Sequence, residues 1–214
     1  MIVAIDGPAG SGKSTLARRL ALELGLPYVN TGSTYRAVAR EALRRGVDPD
    51  DGPALGRIAT ELRFDLDREA VPPSLLVEGA PPGDDLLTPE VEAAVSRVSS
   101  HPEVRAALRE VQRRLGSVGA VVEGRDIGRV VFPDADVKIF LGADPGERAA
   151  RRLRERGSED PALAEALGRR DAMDSRVNPL VAADDAVDVD TTGRTIDEIV
   201  EELVAVVRRA GGPR

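Results

Sequence analysis

Eight residues near the start of the chain, Gly7-Pro8-Ala9-Gly10-Ser11-Gly12-Lys13-Ser14, carry the spacing G-x-x-x-x-G-K-S, and the chemistry of that pattern is phosphate binding. Glycines let a loop wrap so that successive backbone N–H groups point inward, and a helix starting at its end adds a dipole potential that favours a polyanion. Lys13 brings a mobile cation to the β- and γ-phosphates of a nucleoside triphosphate, and the Ser14 hydroxyl is placed to ligate Mg²⁺. Thr15 is either a second hydroxyl toward the α-phosphate or an ordinary residue of the first helical turn. Asp6, one residue before the loop, stands at a strand's C-terminal edge, where open α/β sheets bind ligands, or it ends the strand as a turn aspartate.

A second constellation, Gly124-Arg125-Asp126, directly follows an apolar strand signal. It reads either as a surface ion pair worth about 0 to 1 kcal/mol or as charged groups on the ligand edge of the sheet, and its position favours the second. Arg148, Arg151, Arg152, Arg154 and Arg156 crowd one further segment with Glu147 and Glu155 among them. They form a solvated, ion-paired helix face, or one or two of them belong to a lid that closes over a triphosphate. The single histidine, His101, precedes Pro102 and reads as a cap or surface residue.

These groups need a scaffold, and composition limits what it is. The 214 residues are 42% hydrophobic and 31% charged, which suits one globular α/β domain with a small insertion. Net charge is -7 and the pI is near 5.0, arguing against broad binding to nucleic acid or to an anionic membrane. There is no cysteine, so disulfides and thiolate metal sites are excluded. No stretch reaches the roughly 20 apolar residues of a spanning helix, and a cytoplasmic monomer is the expectation.

Residues 2–6 read as a buried parallel strand. Leu16, Ala17, Leu20, Ala21 and Leu24 then fall on one helix face, ended by Gly25 and Pro27. A second helix presents Tyr35, Val38, Ala39, Ala42 and Leu43 and stops at Gly46, with Pro49, Gly52 and Pro53 marking a loop. Between 62 and 101 the alternation of Leu62, Phe64 and Leu66, a VPP turn, and Leu75 and Val77 predict an inserted hairpin. Parallel-strand signals return at 118–122 and 137–141, Asp144 and Pro145 open a helix, and 186–190 is a last strand. Thr195 and Glu198 make a capping box for a closing helix that buries Ile196, Ile199, Val200, Leu203, Val204 and Val207. Strands alternating with helices imply a three-layer α/β core around a parallel sheet.

At this point GPAGSGKST (7–15), TGSTYR (31–36), VEGRDIGRVVFPDADVKIFL (122–141) and RRDAMDSR (169–176) resemble the bacterial-type cytidylate kinases, a family of P-loop nucleoside monophosphate kinases. The resemblance runs nearly end to end. It implies a P-loop NTPase fold with a kinase core at 1–61 and 118–214, an inserted lobe for the nucleoside monophosphate at 62–117, and a short lid at about 147–176. It implies transfer of the γ-phosphate of ATP, with Mg²⁺, to CMP or dCMP. Gly7, Pro8, Ala9, Gly10, Ser11, Gly12, Lys13, Ser14 and Thr15 would hold ATP. Thr31, Arg36, Arg125 and Arg176 would surround the acceptor phosphate, Ser96, Arg105 and Asp126 would read cytosine, and Arg170 and Asp174 would hold the ribose. Lys13, Arg125 and Arg176 would act on the transferred group.

Each implied role is chemically sensible. Cytosine offers an amino donor beside ring acceptors, so a carboxylate on the amino group rejects uracil, whose O4 would face it. Guanidinium forks hold phosphate oxygens without deprotonating and offset the repulsion between two polyanions. Against the family pattern, Glu123 stands where aspartate is commoner, Thr31 stands where serine is common, and the stretch from Asp174 to Pro179 is a little short. Two rivals are a P-loop kinase for another nucleotide or a metabolite such as shikimate, and a guanine-nucleotide switch. The base-reading set opposes the first, and the lack of an N/T-K-x-D motif opposes the second.

Overall fold

The computed structural model describes residues 1–155 and 180–213. The apolar run at the N-terminus forms β1 (Ile2–Asp6), which enters the phosphate loop and then α1 (Lys13–Leu24). Next come β2 (Tyr28–Asn30), α2 (Thr31–Arg45), α3 (Gly52–Glu61), β3 (Phe64–Asp67), β4 (Ser74–Val77), α4 (Pro89–Ser100) and α5 (Pro102–Gly116). The chain returns through β5 (Ala120–Gly124), β6 (Val137–Gly142) and α6 (Pro145–Glu155), and ends with β7 (Val187–Asp190) and α7 (Ile196–Arg209). Among the described residues these strands form one sheet in the order β3-β4-β2-β5-β1-β6-β7. All neighbours are parallel except the β3–β4 hairpin.

Helices cover both faces. Along β1, Val3 and Ile5 enter the core shared with α1 and α7, whereas Ala4 enters the core shared with α2 to α5. In β5 the same alternation sends Val121 one way and Ala120 and Val122 the other. A strand buried on both faces must be apolar throughout, which is why IVAI and AVV read as unbroken runs. The three-layer α/β fold expected from the sequence is the fold observed.

Local chemistry decides where elements begin and end. Leu16, Ala17, Leu20, Ala21 and Leu24 are all buried, and Gly25 closes α1 in the left-handed conformation. The Asp144 carboxylate accepts from the Gly146 and Glu147 N–H groups at 2.8 and 3.2 Å, capping α6 ahead of Pro145. Thr195 and Glu198 form the expected capping box.

Other expectations need correction. The Gly52-Pro53 pair opens α3 rather than prolonging a loop, because Asp51 caps Ala54 N–H at 3.0 Å and Pro53 fits the first helical turn. The three-residue β2 was not expected at all. Leu43 and Ile196 are exposed, Ile196 because it is the first residue of α7. The hairpin is present, but it continues the main sheet: β4 runs parallel to β2 with Tyr28 opposite Ser74, and Tyr28 N–H donates to Pro73 O at 2.7 Å. The 62–117 segment therefore shares the core of the α2 side, with Leu62, Phe64, Val98 and Leu108 packed beside Val29 and Val38. His101 lies between α4 and α5 with no side-chain cap bond, its Nε2 2.9 Å from Pro49 O. No helix among the described residues is long and apolar enough to cross a membrane.

Candidate active site

A cleft of about 470 Å³ opens at the C-terminal ends of β1, β2 and β5, a volume typical of small-molecule sites. Its floor is the phosphate loop. Gly7 has φ 153°, and a Cβ there would lie 2.3 Å from Leu141 O. Gly10 has φ 75°, and a Cβ there would lie 2.8 Å from Arg148 O. No side chain fits at either position, so Gly7 of the motif and Gly10 inside it are packing requirements as well as phosphate-binding ones. Lys13 Nζ donates to Pro8 O at 2.6 Å and so lies over the loop it closes.

The loop is gripped from behind by α6. Arg148 donates to Ala9 O at 3.0 Å. Arg151 donates to Ser11 O at 3.4 Å and to both oxygens of Thr191 at 2.7 and 2.8 Å, and it pairs with Glu147. The arginine cluster is thus in part a brace for the loop, an outcome between the solvated face and the lid. Arg156 lies outside the described residues.

Beside the loop, three polar side chains interlock. The Tyr28 phenol donates to Glu123 Oε1 at 2.5 Å, and Asn30 Nδ2 donates to the phenol at 3.3 Å. Burial and the adjoining Glu123 carboxylate raise the phenol well above its ordinary value and hold it protonated. Glu123 is buried at the end of β5, directly across from Ile5 of β1. Tyr28, Asn30 and Glu123 had no assigned role in the sequence reading. The available signal was a carboxylate one residue before GRD, seen only as a departure from a pattern.

The far wall carries the groups expected for an acceptor. Arg105 donates to Asp126 at 2.7 Å, so α5 and the turn after β5 bring this pair together. Ser96 is buried on α4 and lines the same space. Tyr35 and Gln112 line it too, and burial raises the Tyr35 phenol. Arg36 Nε pairs with Glu92 of α4 at 3.1 Å. Thr31 opens α2, but its hydroxyl donates to Glu123 O at 2.7 Å and so ties α2 to β5. A phosphate near Thr31 would meet the N-terminal N–H groups of α2 instead. Arg125 lines the cleft between these walls.

Lys13, Ser14, Thr15, Thr31, Arg36, Ser96, Arg105, Arg125 and Asp126 therefore share one cleft, together with Ala9, Gly10 and Gly12 of the loop. Arg170, Asp174 and Arg176 lie outside the described residues. Asp6 does not line the cleft. The residue is 5% exposed, and its carboxylate accepts from the backbone N–H groups of Ile127 and Gly128 at 2.7 and 2.8 Å.

The family model described as cytidylate kinase matches residues 3–209. A cytidylate kinase of Streptomyces avermitilis is 44% identical over 213 residues, covering 97% of this chain and 92% of that protein. One of Streptomyces coelicolor is 44% identical over 219 residues, covering 99% and 95%. A bifunctional pantoate ligase/cytidylate kinase of Synechococcus sp. (strain CC9311) is 45% identical over 222 residues, and there the chain spans 45% of the relative's length. Among solved structures, an uncharacterized protein from Eubacterium ventriosum shares the fold, with a TM-score of 0.51, 11% identity and 96% of each chain covered.

Proposed function

The chain belongs to the cytidylate kinase family, and on that footing we infer that it moves the γ-phosphate of ATP to CMP or dCMP, giving ADP with CDP or dCDP. The observation that carries this is the shared cleft: loop, Lys13 and Ser14 on one side, and Arg36, Arg105, Arg125 and Asp126 on the other.

ATP lies with its phosphates on the loop, where Lys13 exchanges its contact with Pro8 O for the β- and γ-phosphates. The donor set fits Mg²⁺: Ser14 would ligate it by its hydroxyl, and Glu123, which lines the same cleft, would hold its water shell. Held there, the ion would supply positive charge that offsets the charge building on the transferred group. The acceptor phosphate is flanked by Arg36 and Arg125, and cytosine enters between Ser96, Arg105 and Asp126; by the family resemblance Arg176 would join at the phosphate and Arg170 and Asp174 at the ribose. The 62–117 segment thereby serves as the monophosphate-binding lobe, since it contributes both Ser96 and Arg105.

No strong general base is needed, because a phosphate monoester is already largely ionised near neutrality. Catalysis is in-line positioning and fixed positive charge, with closure of the lobe and of the 147–176 lid excluding water. The acidic composition favours these small-molecule partners over nucleic acid, and the enzyme acts as a monomer in the cytoplasm. ADP release measured with CMP, dCMP, UMP, AMP and GMP in turn tests the reading. Turnover is expected to be highest with CMP and dCMP, and equal turnover with a purine monophosphate overturns it.

A further inference from the structure

We propose that Asp6 is a positioning residue that locks the acceptor-reading turn to the donor loop, so that the two halves of the cleft keep a fixed spacing. The proposal rests on the reading of Arg125 and Asp126 as acceptor-binding groups. Asp6 is the last residue of β1, and Gly7 of the phosphate loop follows it directly. Its two carboxylate oxygens take the N–H groups of Ile127 and Gly128, one each, and those residues directly follow Arg125-Asp126. One buried side chain therefore spans the junction from which both loops leave the sheet.

The rest of the turn is built to keep those amides in place. Val130 N–H and Val131 N–H return to Asp126 O at 2.9 and 3.3 Å, and Phe132 N–H returns to Ile127 O at 2.7 Å, making one wide helical turn. Ile127 is buried, and its Cδ1 lies 2.6 Å from where a Cβ on Gly124 would sit. A Cβ on Gly128 would lie 3.4 Å from Asp6 Oδ2 and 3.2 Å from the Lys138 side chain. Asp126, whose carboxylate faces Arg105, is the residue from which the turn starts. A shift of the Asp6 clamp is thus a shift of Asp126 and Arg125 relative to the loop.

Asp6→Asn keeps the shape but offers one acceptor oxygen, and it sets an amide NH₂ against the other N–H. The expected result is a KM for CMP raised about tenfold and a CMP:UMP ratio of kcat/KM narrowed by a similar factor, with KM for ATP within about twofold. Backbone hydrogen exchange at 127 and 128 should accelerate in the same variant. A folded Asp6→Asn enzyme with an unaltered CMP:UMP ratio overturns the proposal. If the variant does not fold, native-state exchange in the wild type decides. Ile127 and Gly128 amides should be protected as strongly as those of the β1 strand, and exchange at the rate of a solvent-exposed amide overturns the clamp. Asp126→Asn separates the premise from the proposal. If it leaves the ratio unchanged, the base-reading assignment fails. If it collapses the ratio and Asp6→Asn does not, only the clamp fails.

Discussion

The guanidinium Nε of Arg36 lies 3.1 Å from Glu92 Oε1, joining α2 to α4 across the acceptor side of the cleft. Both side chains are largely buried, and Arg36 NH1 lies 3.1 Å from where a Cβ on Gly32 would sit. The pair thus fixes the fork at the start of α2, where an acceptor phosphate would meet it. Arg36→Met should raise KM for CMP by tenfold or more and cost about 2 kcal/mol of stability through loss of the largely buried ion pair with Glu92. Adding Glu92→Gln should restore stability to within about 1 kcal/mol without restoring KM. Denaturant unfolding alongside steady-state kinetics separates the two effects, and recovery of KM in the double variant would remove Arg36 from the acceptor site.

Lys13 Nζ donates to Pro8 O in a part-buried bond within its own loop. Lys13→Ala should therefore leave the melting temperature nearly unchanged while raising the barrier to transfer by about 3 to 4 kcal/mol, a loss of roughly 10² to 10³ in kcat. Near wild-type turnover in the folded variant contradicts the assignment.

Asp126 is held by Arg105 at 2.7 Å and would face the cytosine amino group. An amide can donate to the O4 of uracil where a carboxylate repels it, so Asp126→Asn should narrow the CMP:UMP preference by about tenfold or more. KM for ATP should barely move. An unchanged ratio transfers the discrimination to Ser96 and Arg105.

Burial raises the Asp6 carboxyl to about 6, with Asp126 adding to the rise, while the Gly128 and Ile127 N–H groups and Lys13 pull the other way. The folded-state value lies above that of an unfolded aspartate, so the stability this group contributes is complete below about pH 4 and lost as pH rises through about 6. Between about pH 5 and pH 7.5 the wild type should lose roughly 1 to 2 kcal/mol more than Asp6→Asn. Urea unfolding at the two pH values checks this, and parallel losses contradict it.

What could be read in advance was whatever depends on local spacing. The phosphate loop, the buried face of α1 and the capping box of α7 are each set within about ten residues. The role of Asp6 could not be read, because its partners lie 121 and 122 residues away. The same holds for the Tyr28–Glu123 bond and for the pairing of β4 with β2, both of which depend on the sheet order. Gly52 and Pro53 misled for a different reason, since both residues also suit a helix start and only the Asp51 cap decides.

The grip of α6 on the phosphate loop also fixes the tilt of individual peptide planes. In a planar trans peptide the carbonyl of one residue and the N–H of the next point in opposite directions. Tying Ala9 O to Arg148 and Ser11 O to Arg151 therefore turns the N–H groups of Gly10 and Gly12 away from α6, and both glycines line the cleft. A triphosphate bound as proposed would then meet amides that two guanidinium groups orient and polarise from the other side of the peptide plane.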